Sequence, residues 1–197
     1  SDQFIATLAH ELQHFAQWLV DSTESTWVNE GLAEVASDIV VPHLSLSHQY
    51  LTTPEVSVVN WPTDPLQAGL NYASTGMFFR YLAQRTGREN LSQLVAEPSD
   101  SISGVKAYLA RVAPNLSLEE LFAEWVAMNV VGMDQGSDSI QRLYQQKTVR
   151  TPGETKGKVA QFGAWYLRVE PDVPLSVKFV GSPSTPLIGS PAHSGNY

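Results

Sequence analysis

His10 and His14 stand four residues apart with Glu11 between them, in the run Ala9-His10-Glu11-Leu12-Gln13-His14-Phe15. On an α-helix, residues four apart share a face, with Cβ atoms about 5–6 Å from each other. Two imidazoles at that spacing can close on one ion, which is why H-E-x-x-H on a helix is a zinc-site pattern. Glu11 is on the same side but offset, placed to take a proton from water rather than to ligate. A catalytic zinc takes three protein ligands and leaves its fourth position to water. The third ligand must come from elsewhere, and Trp27-Val28-Asn29-Glu30-Gly31-Leu32-Ala33-Glu34 supplies two carboxylates close by, Glu30 and Glu34.

These groups need two helices to carry them. Phe4, Ile5, Leu8, Leu12, Phe15 and Leu19 recur with helical period, and Ser1 or Asp2 can supply the capping oxygen. The stripe Ala9, Leu12, Phe15, Ala16 and Leu19 predicts that this helix packs by its apolar side. Residues 21–26 are a polar connection. Ser25 or Thr26 starts a second helix over 27–41, which Pro42 ends. From 43 to 71, Thr52-Thr53-Pro54, Trp61-Pro62 and Asp64-Pro65 predict a loop. A loop of this length beside a catalytic helix is expected to wall its cleft. His43 and His48 fall in it and are read as surface or packing histidines. A third helix opens at Tyr72, carries Met77, Phe78, Tyr81 and Leu82, and stops at Gly87.

The two linked motifs resemble those of the gluzincin metallopeptidases, and the wording around them is most similar to the hyicolysin-like bacterial neutral metalloproteases. That resemblance spans about residues 4 to 40. It implies a zincin fold with Zn²⁺ held by His10, His14 and Glu30, and Glu11 as general base. Glu34 would orient the first zinc histidine, as carboxylates behind metal ligands do. The run Tyr72-Ala73-Ser74-Thr75-Gly76 leading to Tyr81-Leu82 and Gly87 resembles the tyrosine-bearing helix of gluzincin aminopeptidases. It implies that Tyr72 donates to the oxyanion, although the family glycine falls one residue later here. Zincins usually place a β-sheet before the first of these helices, and one of its edges holds the substrate. The chain starts on that helix, so the sheet is expected to have been cut away or to come from elsewhere. Residues 1–197 alone are then expected to hydrolyse peptides poorly. The acidic stretch by which aminopeptidases of this clan hold a free amine is likewise not found, which favours an endopeptidase.

Further along, Leu91 to Glu97 predicts a short helix and Ile102 to Val112 an amphipathic one. Ser117-Leu118-Glu119-Glu120 is a capping box for a helix carrying Leu121, Phe122, Trp125, Val126 and Val130. Beyond about 148 the character changes. Thr151-Pro152-Gly153-Glu154 is a turn, and residues 159–169 and 175–180 alternate like strands. The fold expected is mainly α: a helical catalytic subdomain over 1–148 followed by a short β-rich segment over 149–197. That segment would be part of a β-sandwich or a hairpin leaning on the helices.

A formal charge of −8 argues against nucleic acid or an anionic membrane as partner, and zero cysteines exclude disulfides and thiolate metal sites. No apolar run reaches the length of a bilayer-spanning helix. The expected partner is a peptide or protein substrate, in an extracellular or cell-surface setting. Two rivals belong to other classes: an inactive zincin-like binding module acting through its β-rich end, and a structural domain with an accidental motif. Presence of Glu11, which a dead protease can readily lose, favours the enzyme.

Overall fold

A computed structural model describes residues 1–42, 53–64, 68–134, 147–150 and 158–170. The chain is mainly α-helical, with α1 (Asp2–Val20), α2 (Thr26–Val40), α3 (Gly69–Thr86), α4 (Leu91–Val95), α5 (Ser101–Val112) and α6 (Leu118–Asp134). A 3₁₀ turn over Arg88–Asn90 joins α3 to α4. None of these helices is long and apolar enough to cross a membrane. His43, His48, the turn at 151–154 and the alternating run 175–180 lie outside the described residues.

The helix ends follow local chemistry. α3 ends at Gly87, whose φ of 88° is left-handed backbone that glycine adopts without a Cβ clash. It begins at Gly69, one turn before the expected Tyr72. The capping box forms: Ser117 Oγ and N both donate to Glu120 Oε2, and Glu120 N donates to Ser117 Oγ. At α1 the capping position is Ser1, but neither expected side chain caps. The Ser1 carbonyl alone accepts, from Phe4 N and Ile5 N.

The core is built around α2 and α3. Trp27 meets Phe79 edge-on at 5.5 Å, and Phe78 meets Trp125 of α6 at the same distance. Gly31 sets the separation of α2 and α3, because a Cβ there would lie 2.2 Å from a ring carbon of fully buried Phe79.

α1 packs the opposite way from its expected orientation. Leu12, Phe15 and Leu19 are 57%, 58% and 62% exposed, and Phe4, Ile5, Leu8 and Trp18 are exposed with them. What α1 turns inward is the line Ala6, His10, Gln13, His14 and Gln17. At 100° per residue that line lies roughly 180° from the apolar stripe. The histidines can reach α2 only if the stripe faces away. Ser37 Oγ of α2 donates to Ala6 O at 2.9 Å, and Gln17 Nε2 donates to Val95 O of α4, fixing this rotation.

Residues 53–64 form an irregular strap bound to α3. Asn71 Nδ2 donates to the carbonyls of Ser57 and Asn60 at 3.0 Å each, and Thr75 Oγ1 donates to Val58 O at 3.2 Å. On its other side, Val58 N donates to Phe162 O and Ala164 N donates to Pro54 O. The expected strand over 159–169 is therefore shorter and starts later. Residues 161–162 turn, with Phe162 at a φ of 52°, and only Leu167–Glu170 is strand, β2. It pairs in parallel with β1 (Lys147–Arg150), and the second strand expected at 175–180 lies outside the described residues. The alternation has a physical source all the same. Ala164 and Tyr166 are buried in the helical core, and the Ala164 amide bonds to the strap rather than to a neighbouring strand.

Candidate metal centre

α1 and α2 are joined by five residues and lie side by side, and the cluster forms where their polar faces meet. His10 Nε2 and His14 Nε2 lie 3.2 Å and 3.3 Å from Glu30 Oε2. The two imidazoles stand edge to face with centroids 4.6 Å apart. One ligand atom from each residue falls within 4.8 Å of the other two, and among the described residues no other such group of His, Asp and Glu occurs. All three side chains are largely buried, with Glu30 at 15% exposure.

The outer atoms of these groups are already engaged. His14 Nδ1 lies 2.8 Å from Asn29 Oδ1, which can only accept, so Nδ1 carries a proton and Nε2 is turned toward Glu30. His10 Nδ1 lies 3.4 Å from Glu34 Oε1, with the same effect. Glu30 Oε1 accepts from the Tyr72 hydroxyl at 3.2 Å. Glu30 Oε2, by contrast, is buried without a hydrogen-bond partner, despite its closeness to both rings. Nε2 of both rings and Oε2 of Glu30 thus converge on one point, as ion pairs whenever the rings are protonated. Ligands about 2.0–2.1 Å from a tetrahedral zinc are about 3.3–3.4 Å apart. The donor set is of the right kind, and the separation of each histidine from Glu30 matches that spacing.

The contacts within the cluster shift the proton affinities of its members. Contact with the Glu30 carboxylate, aided by Glu34, raises His10 from 6.5 to about 9 against the opposing effect of burial. His14 is also raised, chiefly by Glu30. Burial pushes the Glu30 carboxyl up, but the two histidines outweigh it and hold it down at about 2. Tyr72 is pushed up to about 12 by burial, then by the charge of Glu30 and their hydrogen bond. Its hydroxyl therefore keeps its proton throughout the neutral range.

Of the residues singled out by sequence, His10, His14, Glu30, Glu34 and Tyr72 gather within one shell. Glu11 is exposed, and its charge is close enough to contribute to the raised pKa of Tyr72. Asn29, Gly31 and Trp61 lay inside motifs or breakers but carried no expected role. Asn29 could have been found, since it precedes Glu30 on a helix facing His14. The contact of Trp61 with Tyr72, at 4.8 Å and 75°, links segments with no local sequence signal between them. No family model, no curated protein and no solved structure matches this chain.

Proposed function

We propose that this chain is a zinc-dependent metalloendopeptidase of gluzincin type, its helical part the catalytic subdomain. The observation that carries the reading is the convergence of His10 Nε2, His14 Nε2 and Glu30 Oε2, each with its outer atom tied back to another residue. The H-E-x-x-H and N-E-G-x-A-E motifs that resemble gluzincins supply these same side chains. An extracellular or cell-surface setting and a peptide or protein substrate go with that assignment.

His10, His14 and Glu30 would hold the ion. When bound, zinc supplies Lewis acidity that polarises a carbonyl and lowers the pKa of water. Glu11, in contact with solvent, takes the proton from the attacking water as its oxygen bonds to the scissile carbonyl carbon. It then delivers that proton to the amine as the C–N bond breaks, so no proton is gained or lost overall. Tyr72 donates to Glu30 Oε1 at rest and to the oxyanion as charge develops there, a contact of the kind worth about 10²–10³ in rate. Glu34 and Asn29 hold the two rings in the tautomer that keeps Nε2 free.

The test is zinc stoichiometry with ligand variants. Purified protein exchanged into zinc should carry about one ion per chain. Glu30→Ala should abolish tight binding, and Glu34→Ala should weaken it roughly 10- to 100-fold. If Glu34→Ala removes the ion and Glu30→Ala does not, the two roles are exchanged. No uptake by the unaltered chain removes the proposal.

A further inference from the structure

We infer that Trp61 is a positioning residue for the Tyr72 hydroxyl: the 53–64 strap holds the indole against the phenol, and so keeps that hydroxyl on the outer oxygen of Glu30. The consequence for the ion rests on the function proposed above, whereas the chain of contacts does not.

Tyr72 is in the second turn of α3, half-buried, with its ring between two neighbours. The indole of Trp61 meets it edge-on at 4.8 Å, and the His10 ring stands 6.4 Å away on the metal side. At 3.2 Å the bond to Glu30 Oε1 is longer than the usual range for a hydroxyl donor, which ends at about 3.0 Å. A phenol turns about two side-chain torsions, so it holds such a bond only if packing limits the ring.

Val58 is where that limit is set. Its carbonyl accepts from Trp61 Nε1 at 3.2 Å and from Thr75 Oγ1 at 3.2 Å, using both lone pairs. Its amide donates to Phe162 O at 3.0 Å, and its side chain is 1% exposed. Asn71, the residue before Tyr72, clamps the carbonyls on either side of this point, at Ser57 and Asn60. The strap is thus tied to α3 at positions 71 and 75, one before and three after the tyrosine it buttresses. Trp61 cannot leave the Tyr72 ring without giving up its bond to Val58.

A double-mutant cycle on the metal-free protein tests this, because deleting only the hydroxyl is insensitive to packing that does not position it. Tyr72→Phe should lower the folding constant, measured by urea unfolding, by roughly tenfold or more, the range for a hydrogen bond to a charged group. In a Trp61→Leu background the same deletion should cost less than about twofold, as contacting residues are coupled. Trp61→Phe, which keeps an aromatic edge, should preserve the full effect. Thr75→Val loosens the strap from a distance and should reduce it, and it decides the matter should Trp61→Leu fail to fold. Equal cost of Tyr72→Phe in every background overturns the inference.

Zinc titration against a chelator supplies the second readout. Trp61→Leu and Tyr72→Phe should each weaken affinity roughly tenfold, and the double variant no further. A weak Tyr72→Phe beside an unaffected Trp61→Leu also overturns the positioning role. Should the unaltered chain take up no zinc while the folding cycle shows coupling, Trp61 keeps its role and the metallopeptidase proposal falls.

Discussion

Asn29 Oδ1 lies 2.8 Å from His14 Nδ1, while the next residue, Glu30, places Oε2 3.3 Å from Nε2 of the same ring. One helix thus grips both nitrogens of a histidine on the other, from adjacent positions. The amide oxygen fixes the tautomer and the ring plane, and the carboxylate meets the nitrogen left free. Asn29→Ala should therefore weaken zinc affinity roughly 10- to 100-fold, as loss of a partner behind a metal ligand does. Asn29→Asp, which still accepts, should restore most of it. Chelator competition on the three proteins checks this. Equal affinity for Asn29→Ala and the unaltered protein would show that His14 needs no orienting partner.

The raised and lowered pKa values set opposite pH trends for the metal-free and metal-loaded protein. His10 rises from 6.5 to about 9, so its stabilising contribution is complete below pH 6.5 and is lost as pH climbs through 9. Glu30 falls from 4.5 to about 2, so its contribution is complete above pH 4.5 and is lost as pH drops through 2. Without metal, this cluster stabilises the fold most between about pH 4.5 and 6.5. Zinc requires the deprotonated imidazoles and competes with those protons. The Tm difference between zinc-loaded and chelator-treated protein should widen steadily from pH 6.5 to 9. Scanning calorimetry across that range checks it, and a constant difference would mean that no proton leaves the cluster when zinc enters.

How far this site could be read from sequence depends on what each residue's role requires. The pairing of His10 with His14 is local, because four residues on a helix fix their separation. The reach to Glu30 and Glu34 was legible for a related reason: a short polar connection forces two successive helices side by side. Which face of α1 turns inward was not. The run Leu8, Leu12, Phe15 and Leu19 carries a strong periodic signal for packing, yet it is the face left exposed among the described residues. Periodicity says that a helix has two unlike faces, and only the partner decides which one is covered. The capping box of Ser117 and Glu120 was readable because both partners lie within one turn. The strap at 53–64 looked like a loop since its hydrogen bonds run to Asn71, Thr75 and residues 161–164, and none of these follows from turn residues such as Pro54 or Pro62.

Gly31 connects the core to the site. Ala there gains about 1 kcal/mol of helix propensity, but its Cβ would enter the Phe79 ring, which is fully buried and has nowhere to go. Overpacking of that kind costs about 1–3 kcal/mol, so Gly31→Ala should destabilise on balance. It should also push α2 from α3 and lengthen the 3.2 Å bond between Tyr72 and Glu30. Gly69→Ala is the control, since nothing lies within 4 Å of a Cβ at that position. Denaturant unfolding of both variants should show a loss for Gly31→Ala and none for Gly69→Ala. Equal stability of the two would place the limit on helix separation elsewhere.

Glu11 and Tyr72 divide the proposed chemistry and should separate in kinetics. Glu11 is exposed and is not one of the three groups proposed to hold zinc, so Glu11→Gln should leave zinc content and folding intact. Loss of the proton acceptor should lower kcat by around 10²–10⁴-fold on a peptide substrate. Tyr72 has a second duty, because its hydroxyl also holds Glu30 Oε1. Tyr72→Phe should reduce kcat with little change in KM when zinc is saturating, since the oxyanion bond forms mainly in the transition state. At limiting zinc it should show an added loss that extra metal restores, and Glu11→Gln should not. Steady-state kinetics at two zinc concentrations, with metal content measured on each sample, distinguishes the two effects. Wild-type turnover by Glu11→Gln would mean that any hydrolysis observed arises outside this cluster. A Tyr72→Phe loss fully restored by zinc would leave the hydroxyl its hold on Glu30 and remove it from the oxyanion.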